Sequence, residues 1–337
     1  MNTSSDGQLS TANRQPSSFS DRQLSTVNCQ PSSLTVNVSP SGRYAELHCL
    51  SNFTFLRGAS HPGELVLQAH RLGYAALALT DECSMAGVVR AYEAAKDCGM
   101  KLIVGSEFRT KDDLHLVLLA PTQTAYAQIC RLITTGRRRS EKGSYQLSRA
   151  DFANGLDECI ALWIPSRGAT PSQAHWVRER FPDRAWIAVE LHRSADDAKY
   201  LEALQSLGEC SRLPLVASGD VHMHIKERRA LQDIVTAIRH RCTLAEAGHR
   251  LFPNGERYLR PYDDLASLYP RALLDETLRI ADRCRFSLGS LRYRYPKELV
   301  PNGQTATEYL RELTETGLAK RWPNGAPAKV REMVERE

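Results

Sequence analysis

The sequence has no long apolar run and no closely paired cysteines, and each absence excludes a class of protein. No stretch of its 337 residues approaches the roughly 18 to 20 apolar residues of a membrane span. No apolar segment with a cleavage site follows the N-terminus, which predicts that a secretion signal is absent. The nine cysteines are scattered, with no CxxC pair. They therefore fit the reduced thiols of a cytoplasmic protein rather than a disulfide framework or a zinc ribbon.

Residues 1–42 differ from the rest of the chain in composition. They are rich in Ser, Thr, Asn and Gln, and they contain a repeat: QLSTANRQPSSFSDR from Gln8 is followed by QLSTVNCQPSSLTVN from Gln23. Such a short polar repeat cannot bury a core, which predicts a disordered extension. The formal net charge of the whole chain is +5, and this mildly basic balance permits a polyanionic partner without requiring one.

From Tyr44 onward, short apolar runs alternate with segments of helical spacing. The runs that predict strands are YAELHCL, AALALT (75–80), KLIVGSEF, LHLVLLA (114–120), ECIALWI (158–164), AWIAVELH (185–192) and LPLVASGD (213–220). Alternating strands and helices are typical of a parallel sheet. About seven strands in about 200 residues favour a closed barrel over an open sheet. The predicted fold is therefore an α/β barrel of the (β/α)7 type over residues 43–250.

The strand patterns stop near residue 250. The segments RYLRPYDDLASLYPRALLDETLRIADRCRF and ATEYLRELTETGLAKRW predict helices, and YRYPKELVPNGQTA between them predicts a connector. The last segment, PAKVREMVERE, has helical spacing and no stop residue. We therefore expect residues 251–337 to be a helical region whose last helix is truncated.

Side chains able to bind metals follow the predicted strands at the end where barrel enzymes hold their sites. His48 follows the first strand, Glu107 lies at the end of the third and His115 lies on the fourth. Asp220 and His222 follow the last strand. Imidazoles and carboxylates in this mixture suit a cluster of Zn²⁺ or Mn²⁺ ions that activates water against a phosphate ester. A lone histidine at a strand end is usually structural, but several such positions in barrel order predict a metal site.

Many spaced motifs occur in the order of one known family. They are HCLSNFTFLRGASHPGELVLQAHRLGYAALALTDECSMAGVV, GMKLIVGSEF, LHLVLLA, LITTGRRR and ASGDVHMH, continued by RYLRPYDDLASLYPRALLDETLRIADRCRFSLGSLRYRYPKELVPNGQT. Over about residues 44–337 the chain resembles the polymerase-and-histidinol-phosphatase (PHP) domain that opens bacterial C-family DNA polymerases, and the segment that follows it. The motifs LHCLSNFTFLRGASHP and TDECSMAGVVRA resemble most closely those of the error-prone, damage-inducible branch of this family.

The resemblance implies that the metal site is degenerate. An active PHP site has HxH after the first strand, an acidic residue before the next glycine, and TDH after the second strand. Leu50, Arg57 and Glu82 stand at these positions here. The positions that keep the family pattern are His48, Glu107, His115, Asp220 and His222. Leu50 cannot bind a metal, and Arg57 brings a permanent positive charge into a site for cations.

From these departures we expect a site without Zn²⁺ or Mn²⁺. In it, the Arg57 guanidinium occupies the metal cavity and pairs with Glu82, Glu107 or Asp220. Such a buried ion pair is tolerated only when it is well hydrogen-bonded.

The resemblance also implies a function for the whole protein. It implies an error-prone, DNA-directed DNA polymerase that uses Mg²⁺, DNA and deoxynucleoside triphosphates in damage-induced translesion synthesis. A sliding clamp and mutagenesis accessory proteins are its implied partners, and the cytoplasm its implied location. The palm carboxylates that hold Mg²⁺ in the family have no counterpart in a strand context here, so residues 251–337 are expected to be only the helical start of the polymerase core. Two alternatives stay open: an active PHP phosphoesterase or 3′–5′ exonuclease, and a fragment without activity.

A basic stretch, TTGRRRSEKG (134–143), predicts a loop in which Arg137, Arg138 and Arg139 are candidate DNA contacts. A solvated surface loop explains the same residues equally well.

Overall fold

Most of the chain after residue 42 is described by the computed structural model. The described residues are 43–292, 300–301 and 303–337. They belong to one compact unit, Pro40–Glu337. The repeat and the predicted disorder of residues 1–42 lie outside the described residues, as does most of the predicted connector at 293–306.

Within the described residues, seven strands form a single sheet whose neighbours follow chain order. They are β1 (Ala45–Glu46), β2 (Ala76–Leu79), β3 (Leu102–Arg109), β4 (His115–Leu119), β5 (Ile160–Trp163), β6 (Ala185–Glu190) and β7 (Leu215–Ser218). Beyond β1 and β7 the two edges meet. The Leu50 amide donates to the Val221 carbonyl (2.8 Å), and the Val221 amide donates to the His48 carbonyl (3.0 Å). The sheet is a nearly closed barrel, which confirms the predicted (β/α)7-like fold.

One strand departs from the predicted parallel sheet. β4 runs antiparallel to both β3 and β5, whereas the other neighbouring pairs are parallel. The reason is the short connection, since only residues 110–114 separate β3 from β4. A parallel crossover needs about a dozen residues or more, so β3 and β4 form a hairpin instead. The reversal places the start of β4 at the same end of the barrel as the carboxyl ends of the parallel strands.

Helices accompany the strands. In the described part of the chain they are α1 (Pro62–Arg71), α2 (Val88–Cys98), α3 (Gln123–Arg138), α4 (Pro171–Arg180), α5 (Asp197–Ser211), α6 (Arg229–Arg239), α7 (Leu244–Ala247), α8 (Tyr262–Leu268), α9 (Arg271–Arg283), α10 (Ala306–Arg321) and α11 (Ala328–Arg336). Local chemistry sets their ends. At α1, Pro62 occupies the first turn, the Glu64 carboxylate accepts from the His61 amide (2.8 Å), and Gly73 follows the last turn with φ 72°. None of the helices just given is long and apolar enough to cross a bilayer.

The predicted basic loop at 134–143 was wrong in its first half, because α3 continues to Arg138. Gly136 does not break the helix because its missing side chain leaves room for Leu147, whose Cγ lies 3.0 Å from where a Cβ would be. Close packing at this point favours the helix over the loop that the glycine and the charges suggested.

Small and branched side chains fill the interior of the barrel. Ala78, Val117, Leu162 and Val216 point inward from four strands and have no exposed surface. α9 packs against β1 and β7, and its Ile280 joins the same inner cluster. A helix from beyond residue 250 therefore completes the barrel core.

Candidate functional site

The barrel topology brings the predicted site residues together at one end. β3 carries Glu107, β6 ends at Glu190, and Asp220 follows β7. These are carboxyl ends of parallel strands, the usual position of barrel active sites. β4 runs in the other direction, so its first residue, His115, reaches the same end and is the register partner of Arg109.

Glu107 is the centre of the cluster, and it has no exposed surface. Its Oε1 accepts from Arg57 Nη1 (3.1 Å), Arg109 Nε (2.9 Å) and His115 Nε2 (2.8 Å). Its Oε2 lies 3.3 Å from His48 Nε2. Although burial raises the pKa of Glu107, Arg57 and His115 outweigh burial and hold it well below its usual range. Glu107 is therefore an ionised carboxylate whose lone pairs are already engaged by cationic and imidazole donors.

Arg57 forms the ion pair that the sequence predicts. Its Nη1 contacts the carboxylate of Glu82 as well as that of Glu107. The Tyr145 hydroxyl donates to the other oxygen of Glu82 (2.8 Å). Burial lowers the pKa of Arg57, but the two carboxylates outweigh burial and raise it. Only 7% of Arg57 is exposed, so a fixed positive charge stands inside the site.

Asp220, the third expected partner of Arg57, pairs with a different arginine. Arg257 contacts it through Nη1, and the Arg257 guanidinium stacks on Phe252 at 4.1 Å from the ring centroid. The other oxygen of Asp220 lies 2.9 Å from His222 Nε2. Burial and the nearby Arg57 lower the pKa of His222 well below its usual range. The imidazole is therefore neutral, and it donates from Nε2 to Asp220.

His48 is charged, in contrast to His222. Its Nδ1 lies 2.8 Å from Glu190 Oε1, and its Nε2 faces Glu107. Burial lowers the pKa of His48, but the hydrogen bonds to Glu107 and Glu190 outweigh burial and raise it to about 9. An imidazolium has no lone pair for a metal, because both ring nitrogens carry protons.

Sequence reasoning missed Glu190, Arg109 and Arg257. The sequence does contain a signal for Glu190, because this carboxylate ends the apolar run AWIAVE, at the end of a predicted strand. Arg109 likewise ends β3. Arg257 lies 37 residues after Asp220 in an irregular segment, and nothing in the local pattern marks it.

The loop after β1, residues 51–60, holds Arg57 in place. Its anchor is Asp81, whose carboxylate accepts from the Ser51 amide (2.8 Å), the Ser51 hydroxyl (2.8 Å) and the Thr54 hydroxyl (2.7 Å). Gln232 of α6 donates from Nε2 to the Arg57 carbonyl (2.8 Å). Leu50, at the degenerate ligand position, is fully buried. Asp81 therefore anchors the loop that carries Arg57.

The residues present do not fit a metal cluster. Over residues 43–337, apart from the undescribed positions, no group of three or more His, Cys, Asp or Glu side chains is arranged to hold an ion. The donor chemistry explains this result. Glu107 is bound by arginines, Asp220 is bound by Arg257, and His48 is protonated. A divalent cation would have to displace guanidinium groups that already neutralise the same carboxylates.

The three candidate DNA contacts lie at the end of α3. Arg137 turns inward and donates to the carbonyls of Cys83 (3.1 Å) and Glu82 (3.3 Å). Arg139 pairs with Asp151 at 2.5 Å, and Arg138 is exposed. A role in binding DNA stays a prediction for all three.

Comparison with known proteins identifies a domain and a group of relatives. Residues 46–206 match the family model described as "PHP domain". The chain is 60% identical over 295 residues to an error-prone DNA polymerase from Methylococcus capsulatus and 57% identical over 294 residues to one from Pseudomonas aeruginosa. Each match covers 87% of this chain but only 28% of the relative, so the chain spans little more than a quarter of their length.

Among solved structures, a proposed metal-dependent phosphoesterase from Bifidobacterium adolescentis is similar at 15% identity with a TM-score of 0.43. That likeness covers 68% of this chain and 96% of the other. The family suggested by the sequence motifs is confirmed by the curated relatives. The chain is a homologue of error-prone DNA polymerases and contains a PHP domain.

Proposed function

We propose that the protein takes part in error-prone DNA synthesis across damaged template, and that its PHP domain acts there as a structural platform. In this proposal residues 43–250 are the PHP barrel and residues 251–337 lead into the polymerase core. DNA and deoxynucleoside triphosphates are the substrates, the cytoplasm is the location, and a sliding clamp and mutagenesis accessory proteins are the partners. Mg²⁺ serves nucleotidyl transfer at palm carboxylates that lie outside residues 1–337.

One observation carries the structural role of the PHP domain. The Arg57 guanidinium sits on Glu107, the carboxylate at the centre of the cluster, and on Glu82. A buried arginine at this position supplies the positive charge that metal ions supply in a metal-dependent phosphoesterase. It has no exchangeable water to activate, so it cannot generate a nucleophile as a bound metal does.

Metal analysis tests the proposal directly. After incubation with Zn²⁺ or Mn²⁺ and dialysis, the chain is expected to retain neither ion in stoichiometric amount. The matched variant Leu50→His/Arg57→Glu/Glu82→His restores the three family ligands, and we expect it to gain metal relative to the unchanged chain. Stoichiometric metal in the unchanged chain would contradict the platform role.

An exonuclease assay addresses the alternative of an active PHP enzyme. The expected result is no metal-dependent release of nucleotides from a primer end. Release that disappears in Asp220→Ala would instead establish the alternative, because Asp220 retains the family position. Incorporation of nucleotides by residues 1–337 alone would contradict the placement of the polymerase carboxylates outside them.

A further inference from the structure

α6 exposes its apolar side chains and buries polar ones, which is the reverse of what a surface helix usually does. Leu231, Ile234 and Ile238 are 37%, 43% and 55% exposed. Two of the helix residues that are buried, Gln232 and Thr236, are polar. A surface helix normally turns its apolar stripe toward the core, and exposed apolar patches mark interaction sites. The stripe formed by Leu231, Ile234 and Ile238 therefore does not serve the packing of α6 on its own barrel.

Specific polar contacts fix the helix in this orientation. Gln232 donates from Nε2 to the Arg57 carbonyl (2.8 Å). Arg229 donates from Nε to the Asp233 carboxylate (2.8 Å) and from Nη2 to the Phe252 carbonyl (2.6 Å). A rotation that buried the apolar stripe would break these hydrogen bonds. The stripe is therefore held toward the solvent.

The spacing of the stripe is that of a helix seam, and it has a charge at each end. Leu231, Ile234 and Ile238 are separated by three and then four residues, as at the contact positions of helices that pack side by side. Glu227 lies four residues before Leu231, and Arg241 lies three residues after Ile238. Both are exposed, and neither forms an ion pair with another described residue. The stripe thus begins with a negative charge and ends with a positive one.

The other charged side chains near the ends of α6 are engaged elsewhere. Lys226, Arg228 and Arg229 each pair with a carboxylate of their own chain. Arg239 lines a cavity at the mouth of the barrel together with Arg57, on the side of the helix that faces the barrel. Glu227 and Arg241 are therefore the charges that a molecule docked on the stripe would meet.

We propose that the stripe binds the same stripe of a second copy of this chain, with the two α6 helices antiparallel. Glu227 and Arg241 are each seven residues from Ile234. A two-fold axis at Ile234 therefore places each Glu227 against Arg241 of the second copy, and Leu231 close to Ile238 of the second copy. Such a self-complementary contact is the usual form of a symmetric dimer interface. A parallel arrangement would instead bring like charges together.

Sedimentation velocity of the full 337-residue chain over a series of concentrations tests the dimer. One helix from each copy gives an interface in the weak, transient class, below about 1,200 Å² in total. We therefore expect a dissociation constant of roughly tens of micromolar. Ile234→Arg keeps a good helix former but places two like charges at the axis, and it should weaken association about a hundredfold or more. Leu310→Arg is the matched control, because Leu310 is an exposed apolar residue (64%) of another helix, α10, and this variant should dimerise like the unchanged chain.

Charge reversal tests the antiparallel arrangement. Glu227→Arg and Arg241→Glu should each weaken the dimer about tenfold, because each replaces two attractive contacts by two repulsive ones. The double variant restores both contacts and should recover the affinity of the unchanged chain. A purely structural role of either residue would not give this recovery. All of these positions are exposed, and far-UV circular dichroism checks that each variant is folded.

Several results would overturn the proposal. One is a chain that stays monomeric up to roughly 500 µM, well above the expected dissociation constant. A monomer that binds a hydrophobic dye, and loses it in Ile234→Arg, would assign the stripe to a different protein. A dimer that survives Ile234→Arg, or that Leu310→Arg weakens equally, would place self-association elsewhere. A double charge variant no tighter than the single ones would exclude the antiparallel contact.

Discussion

Glu107 is a fully buried carboxylate that arginine and histidine side chains surround. Two arginines approach the same oxygen, Arg57 at 3.1 Å and Arg109 at 2.9 Å, but their surroundings differ. The side chain of Arg57 is 8% exposed and that of Arg109 is 53% exposed. Solvent screens an exposed pair, whereas removing one partner of a buried pair leaves an uncompensated charge. The two arginines should therefore differ in their effect on stability despite similar distances.

Replacing Arg57 by alanine is expected to lower the free energy of unfolding by about 3 kcal/mol, because Glu107 and Glu82 lose their shared buried cation. Arg109→Ala, which removes a contact to the same oxygen, should cost less than about 1 kcal/mol. Urea unfolding followed by circular dichroism measures both variants. Equal losses in the two variants would show that burial does not decide the strength of these pairs.

The charge on His48 predicts a dependence of stability on pH. Its pKa is raised to about 9 in the folded protein, against an ordinary value near 6.5. Protonation therefore favours the folded state, and the contribution is fully present below about pH 6.5. It is lost as the pH rises through about 9, and its full size is roughly 3 kcal/mol.

Chemical denaturation of the unchanged chain and of His48→Gln, at pH 6 to 10, isolates this contribution. Glutamine can still donate a hydrogen bond but cannot titrate. The difference in unfolding free energy between the two proteins should shrink as the pH rises through about 9. A difference that stays constant over this range would mean that His48 is neutral in the folded protein.

At the scale of elements, the loop of residues 51–60 determines where Arg57 points. The loop folds back on itself, and Gly58 touches the backbone of Ser51. A Cβ at Gly58 would lie 2.0 Å from the Ser51 carbonyl oxygen, which no local adjustment of a side chain can relieve. The Gly58 amide also donates to the Thr54 carbonyl (3.1 Å). The turn therefore requires glycine for reasons of space.

Gly58→Ala is expected to destabilise the protein by several kcal/mol and to displace Arg57 from Glu107. Gly63→Ala is the matched control, because a Cβ at Gly63 meets only Ala94 at 3.8 Å and the residue lies in α1. That change should be neutral or stabilise by about 0.5–1 kcal/mol, as alanine is the better helix former. Thermal melts of the two variants give the comparison. A Gly58→Ala variant that melts like the unchanged chain would show that the loop is free to rearrange.

The sequence predicted most elements of the barrel because burial leaves a local pattern in each of them. The run AALALT contains β2, and Gly99 marks the end of α2 with φ 72°. The direction of β4 was not predicted, because it depends on the length of a connection rather than on any pattern within the strand. The continuation of α3 through Gly136 was missed because it depends on Leu147, which lies outside the helix.

The site was predicted to a different extent. The pairing of Arg57 with Glu82 and Glu107 could be predicted because a positively charged side chain, Arg57, stands among residues of the kinds that bind metals. The pairing of His48 with Glu190, 142 residues away, could not follow from either local segment. Such contacts depend on the closure of the barrel, because closure brings the residue after β1 close to the last residue of β6.

At the scale of the whole molecule, residues beyond 250 take part in the barrel. The Thr277 hydroxyl of α9 accepts from the Ala45 amide of β1 (3.2 Å). The Tyr269 hydroxyl donates to the Ser218 carbonyl of β7 (2.8 Å). Leu274 and Ile280 of α9 have no exposed surface. By contrast, α10 and α11 expose Leu310, Leu313 and Met333 and bury little else than Leu318 among their described residues.

Two truncations test how far the folded barrel extends. Residues 43–292 keep α9, whereas residues 43–250 lose α9 together with Arg257. Each buried aliphatic side chain of α9 contributes about 1.5–3 kcal/mol, and two of them already approach the lower end of the total stability of a domain, about 5–15 kcal/mol. The shorter chain is therefore expected to lose cooperative thermal unfolding and to bind a hydrophobic dye, while the longer one melts cooperatively. Equal melting of the two chains would show that the barrel is complete at residue 250 and that α9 only covers it.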